Sequence, residues 1–260
     1  QMDRMEIVDC NHKYGVVALA KNDDITPSDL SILKRFTKVF EQAYTRFLDL
    51  QKAEAQAREA QIQLALERVR ARSLAMHESS EMQQVANTIY EQMKKLGLQM
   101  DAVGMSGVIE AHTDYEVWVG GSDFEAPLQI PYTDSTQVQR DYNQVIENRP
   151  DLFTNTYSGK VKKEYIDFLL EQNEFPKELE KRMIESESFS TSITFSKNSS
   201  IQIATYSDQA YTDEENKILK RFCRVFEQAY IRFIDLERAE NQARESEIQL
   251  SLERVRAGSM

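Results

Sequence analysis

At 260 residues the chain is long enough for one or two domains with a real core, and its 29% charged and 41% hydrophobic residues exclude a disordered composition. A formal net charge of −11 argues against binding nucleic acid or an anionic membrane face, since both require a basic surface. No apolar run approaches the roughly 18 residues that cross a bilayer, no secretory leader is visible, and Cys10 and Cys223 form no CxxC pattern, so a reducing cytoplasm is expected.

In chain order, residues 5–10 and 14–20 predict a β-hairpin with Asn11-His12-Lys13 as its turn. Thr26-Pro27-Ser28-Asp29 then opens a helix: Thr26 can cap free amides, Pro27 has the φ of a first helical position, and Asp29 suits the positive end of the helix dipole. No Gly or Pro follows until Gly97, which predicts one helix from Pro27 to about Met76. At 1.5 Å per residue it would be roughly 75 Å long. Its first part repeats Phe36, Phe40, Ala43, Phe47 and Leu50 at a spacing near 3.5, which favours a left-handed coiled coil. The second part thins to Ala53, Ala57 and Ala60, then shifts phase to Ile62, Leu66 and Val69. A second chain is the expected partner for such a helix. The expected parallel homodimer interface comprises Phe36, Phe40, Phe47, Leu50, Ala57, Ile62, Leu66 and Val69.

Ser79 or Ser80 is expected to cap a new helix carrying Met82, Val85, Ile89, Met93 and Leu96 on one face and ending at Gly97. Strands are predicted at Ala102–Glu110, Tyr115–Gly120 and Leu128–Tyr132, the last bracketed by Pro127 and Pro131. Val138, Tyr142, Val145 and Ile146 mark a helix, Leu152–Tyr157 a strand, Val161 to Leu169 a helix, and Pro176–Met183 a short one. Phe189–Ser196 and Ile201–Tyr206 form a hairpin around Lys197-Asn198-Ser199. Thr212-Asp213-Glu214-Glu215 is a capping box that starts a second long helix. Together these predict an α+β domain on an antiparallel sheet, flanked by long coiled-coil-type helices.

The second long helix repeats the first. Residues 32–73 return at 218–259, an offset of 186 without a gap, and roughly three in four aligned residues are identical. A period this long means a tandem array of whole domains, not a solenoid. The expected division is 1–25, the last hairpin of a preceding repeat; 26–78, a signalling helix; 79–211, a sensor-sized domain; and 212–260, a second signalling helix. The chain is thus expected to be a slice of a longer protein with its output domain elsewhere.

No constellation points to chemistry inside the chain. His77-Glu78 lacks the rest of a phosphoacceptor box, and His12, His77 and His112 are too scattered for a metal site. Ser106 lacks the GxSxG spacing of a nucleophile elbow, and Gly120-Gly121 is too short to cradle a phosphate. No catalytic residue, metal or cofactor is expected. Trp118, Tyr132, Tyr142, Phe153 and Tyr165 are the candidates for lining a small-molecule pocket; the bland alternative is that they simply pack the core.

The order of elements over about 79–225 resembles a GAF domain, the small-molecule sensor module related to PAS. The run AxAREAQIQLALERVRARSLAMHESSEM, Ala55 through Met82, is similar to the segment joining such domains in bacterial sensor histidine kinases. The resemblance implies a cytoplasmic input region, parallel dimers through the linker helices, and a kinase or other output domain further along. Kinase boxes, the NKxnE-like residues of cyclic-nucleotide binders and a bilin-attaching cysteine are absent from the sequence, which leaves the ligand class open. The expected function is sensory input and signal transmission without catalysis. The alternative is a dimerisation spacer whose GAF-like fold binds nothing.

Overall fold

A computed structural model describes residues 5–107, 109–121, 124 and 127–258. The chain falls into two compact units, residues 1–61 and 62–260.

In the first unit, β1 (Glu6–His12) and β2 (Gly15–Lys21) pair antiparallel, from Glu6↔Lys21 to His12↔Gly15. The turn is therefore Lys13-Tyr14 and not Asn11-His12-Lys13. His12 stays in the strand because its ring meets Phe40 at 5.2 Å, and Gly15 supplies the tight link with a φ of +151°, where a side chain would be strained. The helix α1 (Pro27–Leu74) starts in this unit, and its last turns belong to the second. Its cap is reciprocal: the Asp29 amide donates to Thr26 Oγ1 at 3.2 Å, and the Thr26 amide donates to Asp29 Oδ2 at 2.9 Å. The hairpin lies over Leu33 and Thr37, which are buried, with Tyr14 Oη 3.0 Å from Thr45 Oγ1.

The second unit takes up α1 from Ile62, a 3₁₀ turn (Ser79–Glu81) and α2 (Met82–Lys95). There follow β3 (Ala102–Ser106), β4 (Tyr115–Gly120), β5 (Leu128–Ile130), α3 (Gln137–Asn148), β6 (Phe153–Ser158), α4 (Gly159–Gln172) and α5 (Lys177–Glu185). It closes with β7 (Ser188–Phe195), β8 (Ser200–Thr205) and α6 (Asp213–Gly258). The strands form an antiparallel sheet ordered β5-β4-β3-β8-β7-β6. The α+β class expected from the sequence is observed.

Strand ends differ in physically simple ways. β5 stops at Ile130 because Pro131 has no amide to donate to a ladder. β3 stops at Ser106, and Val108, inside the longer strand expected there, lies outside the described residues. Neither Ser79 nor Ser80 caps α2. Ser79 donates its amide (2.8 Å) and hydroxyl (2.7 Å) to Glu240 on α6, while the His77 amide donates to Glu81 at 3.0 Å.

The sheet separates two cores. Alternation puts Val103, Met105, Trp118, Ile201 and Ile203 on one face, packed with α2, the end of α1 and the start of α6. The other face carries Phe189, Ile193 and Ala204 against α3, α4 and α5. In the helical core Ile62, Leu66 and Val69 of α1 are buried. These three were expected at a seam between chains; they are occupied inside this one.

Gly120 lets α2 lie close on β4: a Cβ there would stand 2.5 Å from the Ala86 carbonyl oxygen and 2.8 Å from Tyr90 Cβ. Backbone cannot yield cheaply, so Gly120→Ala should destabilise the second unit by about 1–3 kcal/mol in urea unfolding. An unchanged midpoint would contradict this packing.

Candidate functional site

Between the sheet and the helices α3, α4 and α5 lies a cavity of about 80 Å³. Its floor is the face of β3, β4 and β8 opposite the helical core. Ala102 and Gly104 come from β3, Tyr115, Val117 and Val119 from β4, and Gln202 and Ala204 from β8. Tyr142 from α3 and Tyr165 from α4 close it, with Tyr206 at the end of β8. A smaller lobe of about 30 Å³ continues past Gly104, Tyr142 and Gln202 towards Ser106 and Ser200.

Local sequence explains why these side chains converge. Thr136 and Gln139 form a capping box that fixes the start of α3: the Gln139 amide donates to Thr136 Oγ1 at 3.2 Å and the Thr136 amide donates to Gln139 Oε1 at 3.1 Å. Tyr142 then lies on the buried face, its ring edge-on to that of Tyr165 at 5.8 Å. Its hydroxyl donates to Thr191 Oγ1 at 3.2 Å and accepts from Gln202 Nε2 at 2.8 Å. Gln202 also donates to Thr191 Oγ1 at 3.1 Å. This triangle is the polar centre of an otherwise apolar chamber.

None of the described residues lining the cavity or its lobe is charged. Burial pushes the phenols of Tyr115, Tyr142, Tyr165 and Tyr206 up, so they are neutral hydrogen-bonding groups across the ordinary pH range. An ion placed here would lose its hydration without gaining a counter-charge. The site therefore suits an uncharged, largely apolar molecule with one or two polar atoms.

Of the five aromatic candidates, Tyr142 and Tyr165 line this cavity. Trp118 does not: it is on the opposite face of β4, packed on Phe233 at 5.2 Å and Tyr230 at 6.1 Å. Tyr132 is on the surface, its hydroxyl 2.6 Å from His112 Nδ1, and His112 Nε2 is 3.2 Å from Glu147. Phe153 packs beside Tyr142 at 6.4 Å as part of the core. Tyr115, Gln202 and Tyr206 escaped the sequence reading, although period-two alternation could have found them. Trp118 sits between Val117 and Val119, so on β4 it must face away from both.

Other features do not compete with this site. A wider groove of about 500 Å³ opens between α4 and α5, but Lys162 in its wall donates to the carbonyls of Ser186 (2.7 Å) and Ile184 (3.4 Å). Its charge is already used inside the chain. Ser106 pairs with Ser200, oxygen to oxygen at 2.6 Å. Among the described residues no group of three His, Cys, Asp or Glu side chains could hold a metal ion, and no helix is long and apolar enough to cross a membrane.

No protein-family model matches the sequence, and no curated protein does. Among solved structures the chain is similar to the GAF domain of a phosphoenolpyruvate-protein phosphotransferase (ptsP) from Coxiella burnetii, with a TM-score of 0.42 and 12% identity over 70% of this chain and 98% of that one. The GAF domain of the Acinetobacter phosphoenolpyruvate-protein phosphotransferase gives a TM-score of 0.40 and 10% identity over 66% and 92%. A phycoerythrobilin-bound GAF domain from a cyanobacterial phytochrome gives 0.38 and 9% over 65% and 96%.

The buried phenols make an alkaline prediction. Their folded pKa values lie above the ordinary 10.0, so the stability they carry is complete below about pH 10 and is lost as pH rises towards the folded values. Exposed phenols should ionise near pH 10 with the circular dichroism unchanged, and the buried ones only at higher pH, together with its loss. Tyr165→Phe should move that transition to higher pH; ionisation of all eleven phenols near pH 10 with the circular dichroism unchanged would contradict the buried site.

Proposed function

We propose that this chain is a non-catalytic sensory input and transmission segment of a bacterial signal-transduction protein, in which the second unit acts as a GAF-type sensor for an uncharged small molecule. The observation that carries this reading is the shared sheet. On β3 and β8 the residues Gly104, Gln202 and Ala204 line the cavity, while their neighbours Val103, Ile201 and Ile203 pack in the core that holds α1, α2 and α6. A molecule that favours one spacing of these two strands must bias the helix packing behind them, through differential affinity for two states. Among the described residues the lining offers no carboxylate, imidazole, amine or thiol for acid–base or nucleophilic work, which supports the non-catalytic reading.

The Ala55–Met82 run supports a sensor histidine kinase context in the cytoplasm, with a kinase or other output domain beyond this segment. In that setting the chain forms a parallel homodimer. With Ile62, Leu66 and Val69 already buried, the exposed Ala53, Ala57 and Ala60 are positions of α1 beyond Leu50 that can carry a seam. A second reading, a structural spacer that binds nothing, is favoured by the size of the cavity: about 80 Å³, against the roughly 300–1,000 Å³ of ordinary ligand sites.

Thermal unfolding with phenol, indole and benzamide separates the two readings. A sensor should gain about 2.7 kcal/mol at a hundredfold excess over Kd, an increase of roughly 5–10 °C, and Gln202→Leu should weaken binding about tenfold. If no uncharged aromatic raises the midpoint, the spacer reading stands. For the dimer, Ala57→Cys should form an interchain disulfide under mild oxidation; a monomer in sedimentation at micromolar concentration would sink it.

A further inference from the structure

The two long helices carry the same side chains into opposite environments. Ile32, Phe36, Val39, Phe40, Phe47 and Leu50 of α1 recur as Ile218, Phe222, Val225, Phe226, Phe233 and Leu236 of α6. On α6 all six belong to the helical core with α2, Phe222 and Phe226 at 0% exposure. On α1 Phe36 is 68% exposed, Val39 62% and Phe40 49%. Taking roughly 150–250 Å² for each aromatic side chain, the uncovered face amounts to about 600 Å². That is the upper end for a free surface patch and close to the roughly 800 Å² per partner of a standard interface.

The second unit also displays what covers such a face. α2 supplies an amphipathic stripe of Met82, Val85, Ile89 and Met93, and β3 adds antiparallel to β8. The exposed strand β2 is the counterpart of β8 in the repeat, and among the described residues it pairs only with β1. α6 further grips the start of the covering segment. Arg232 donates to the Met76 carbonyl at 2.7 and 3.0 Å, and Glu240 accepts from the Ser79 amide and hydroxyl. The corresponding residues of α1, Arg46 and Glu54, are present and exposed.

We propose that the apolar face of α1 is a docking surface for a protein segment of the α2–β3 kind. That partner is an amphipathic helix with apolar residues at the spacing of α2, a Ser or Thr at its start for Glu54, a free carbonyl for Arg46, and a strand that extends the sheet at β2. The same six residues that α6 buries against its own domain are then buried by a second one. The phenylalanines of α1 are core residues of a domain interface, and no coiled-coil seam is needed to explain their spacing.

The test is to extend the full chain by placing a second copy of residues 62–186 directly ahead of it, then to follow amide exchange across residues 30–54 and binding of anilinonaphthalene sulfonate. Exchange should slow at least tenfold and dye fluorescence should fall several-fold. Phe36→Asp in the extended chain should reverse both while leaving the unfolding midpoint of residues 62–260 unchanged. The proposal is overturned if residues 30–54 exchange as fast as in the original chain, or if the added copy stays unprotected. It is equally overturned if the original chain already covers this face by pairing with a second copy, seen as a dimer in sedimentation that Phe36→Asp dissolves.

Discussion

Everything in the second unit depends on the core that α2 shares with two other helices and the sheet. The end of α1 gives Ile62, Leu66 and Val69, the start of α6 gives Leu219, Phe222 and Phe226, and α2 lies in the core they share. Hydrogen bonds lock the junction: Arg232 on α6 takes the carbonyl of Met76, left free where α1 ends, and Glu240 takes the Ser79 amide where the next helix begins. Hydrogen bonding from Ser79 holds the Glu240 carboxyl below the usual carboxylate range, with Arg244 adding to the effect. The incoming and outgoing helices thus meet through one short element and two side chains. A displacement of α2 would be felt by both.

The sheet gives that arrangement a reason. Strands β3 and β8 are only one residue thick, so a change on the cavity face reaches the helical face without an intermediary. The cavity face is soft, with Gly104, Ala102 and Ala204 on its floor; the helical face is filled with Val103, Met105, Ile201 and Ile203 at full burial. Close packing transmits strain because it has no free volume to absorb it. Glu227 of α6 adds a second link by accepting from the amides of Lys197 and Asn198, both at 3.1 Å, in the turn between β7 and β8.

Much of this was legible in the residues. Caps such as Thr26 with Asp29 and Thr212 with Glu215 are local, and their hydrogen bonds form as the sequence suggests. Helical and strand periods placed most elements, because each side of the sheet must bury a face. Phenylalanines at a spacing of 3.5 do not reveal whether another helix of the same fold or a second chain will cover them. The burial of Phe222 and Phe226 answers that for α6 in favour of the fold. Nor could residue type alone choose Tyr115 over Trp118 for the cavity; alternation along β4 puts the two on opposite faces, and the pairing of Gly104 with Val119 and Met105 with Trp118 shows which face is the cavity's.

On this packing the incoming and outgoing helices are one cooperative body joined through α2. Native-state hydrogen exchange at increasing denaturant measures this directly. Amides of residues 62–74, 82–95 and 216–236 should merge into a single opening with one free energy and one denaturant slope. If residues 62–74 open separately, at a lower free energy and without regard to α2 and α6, the helices are independent and no displacement could pass between them by this route.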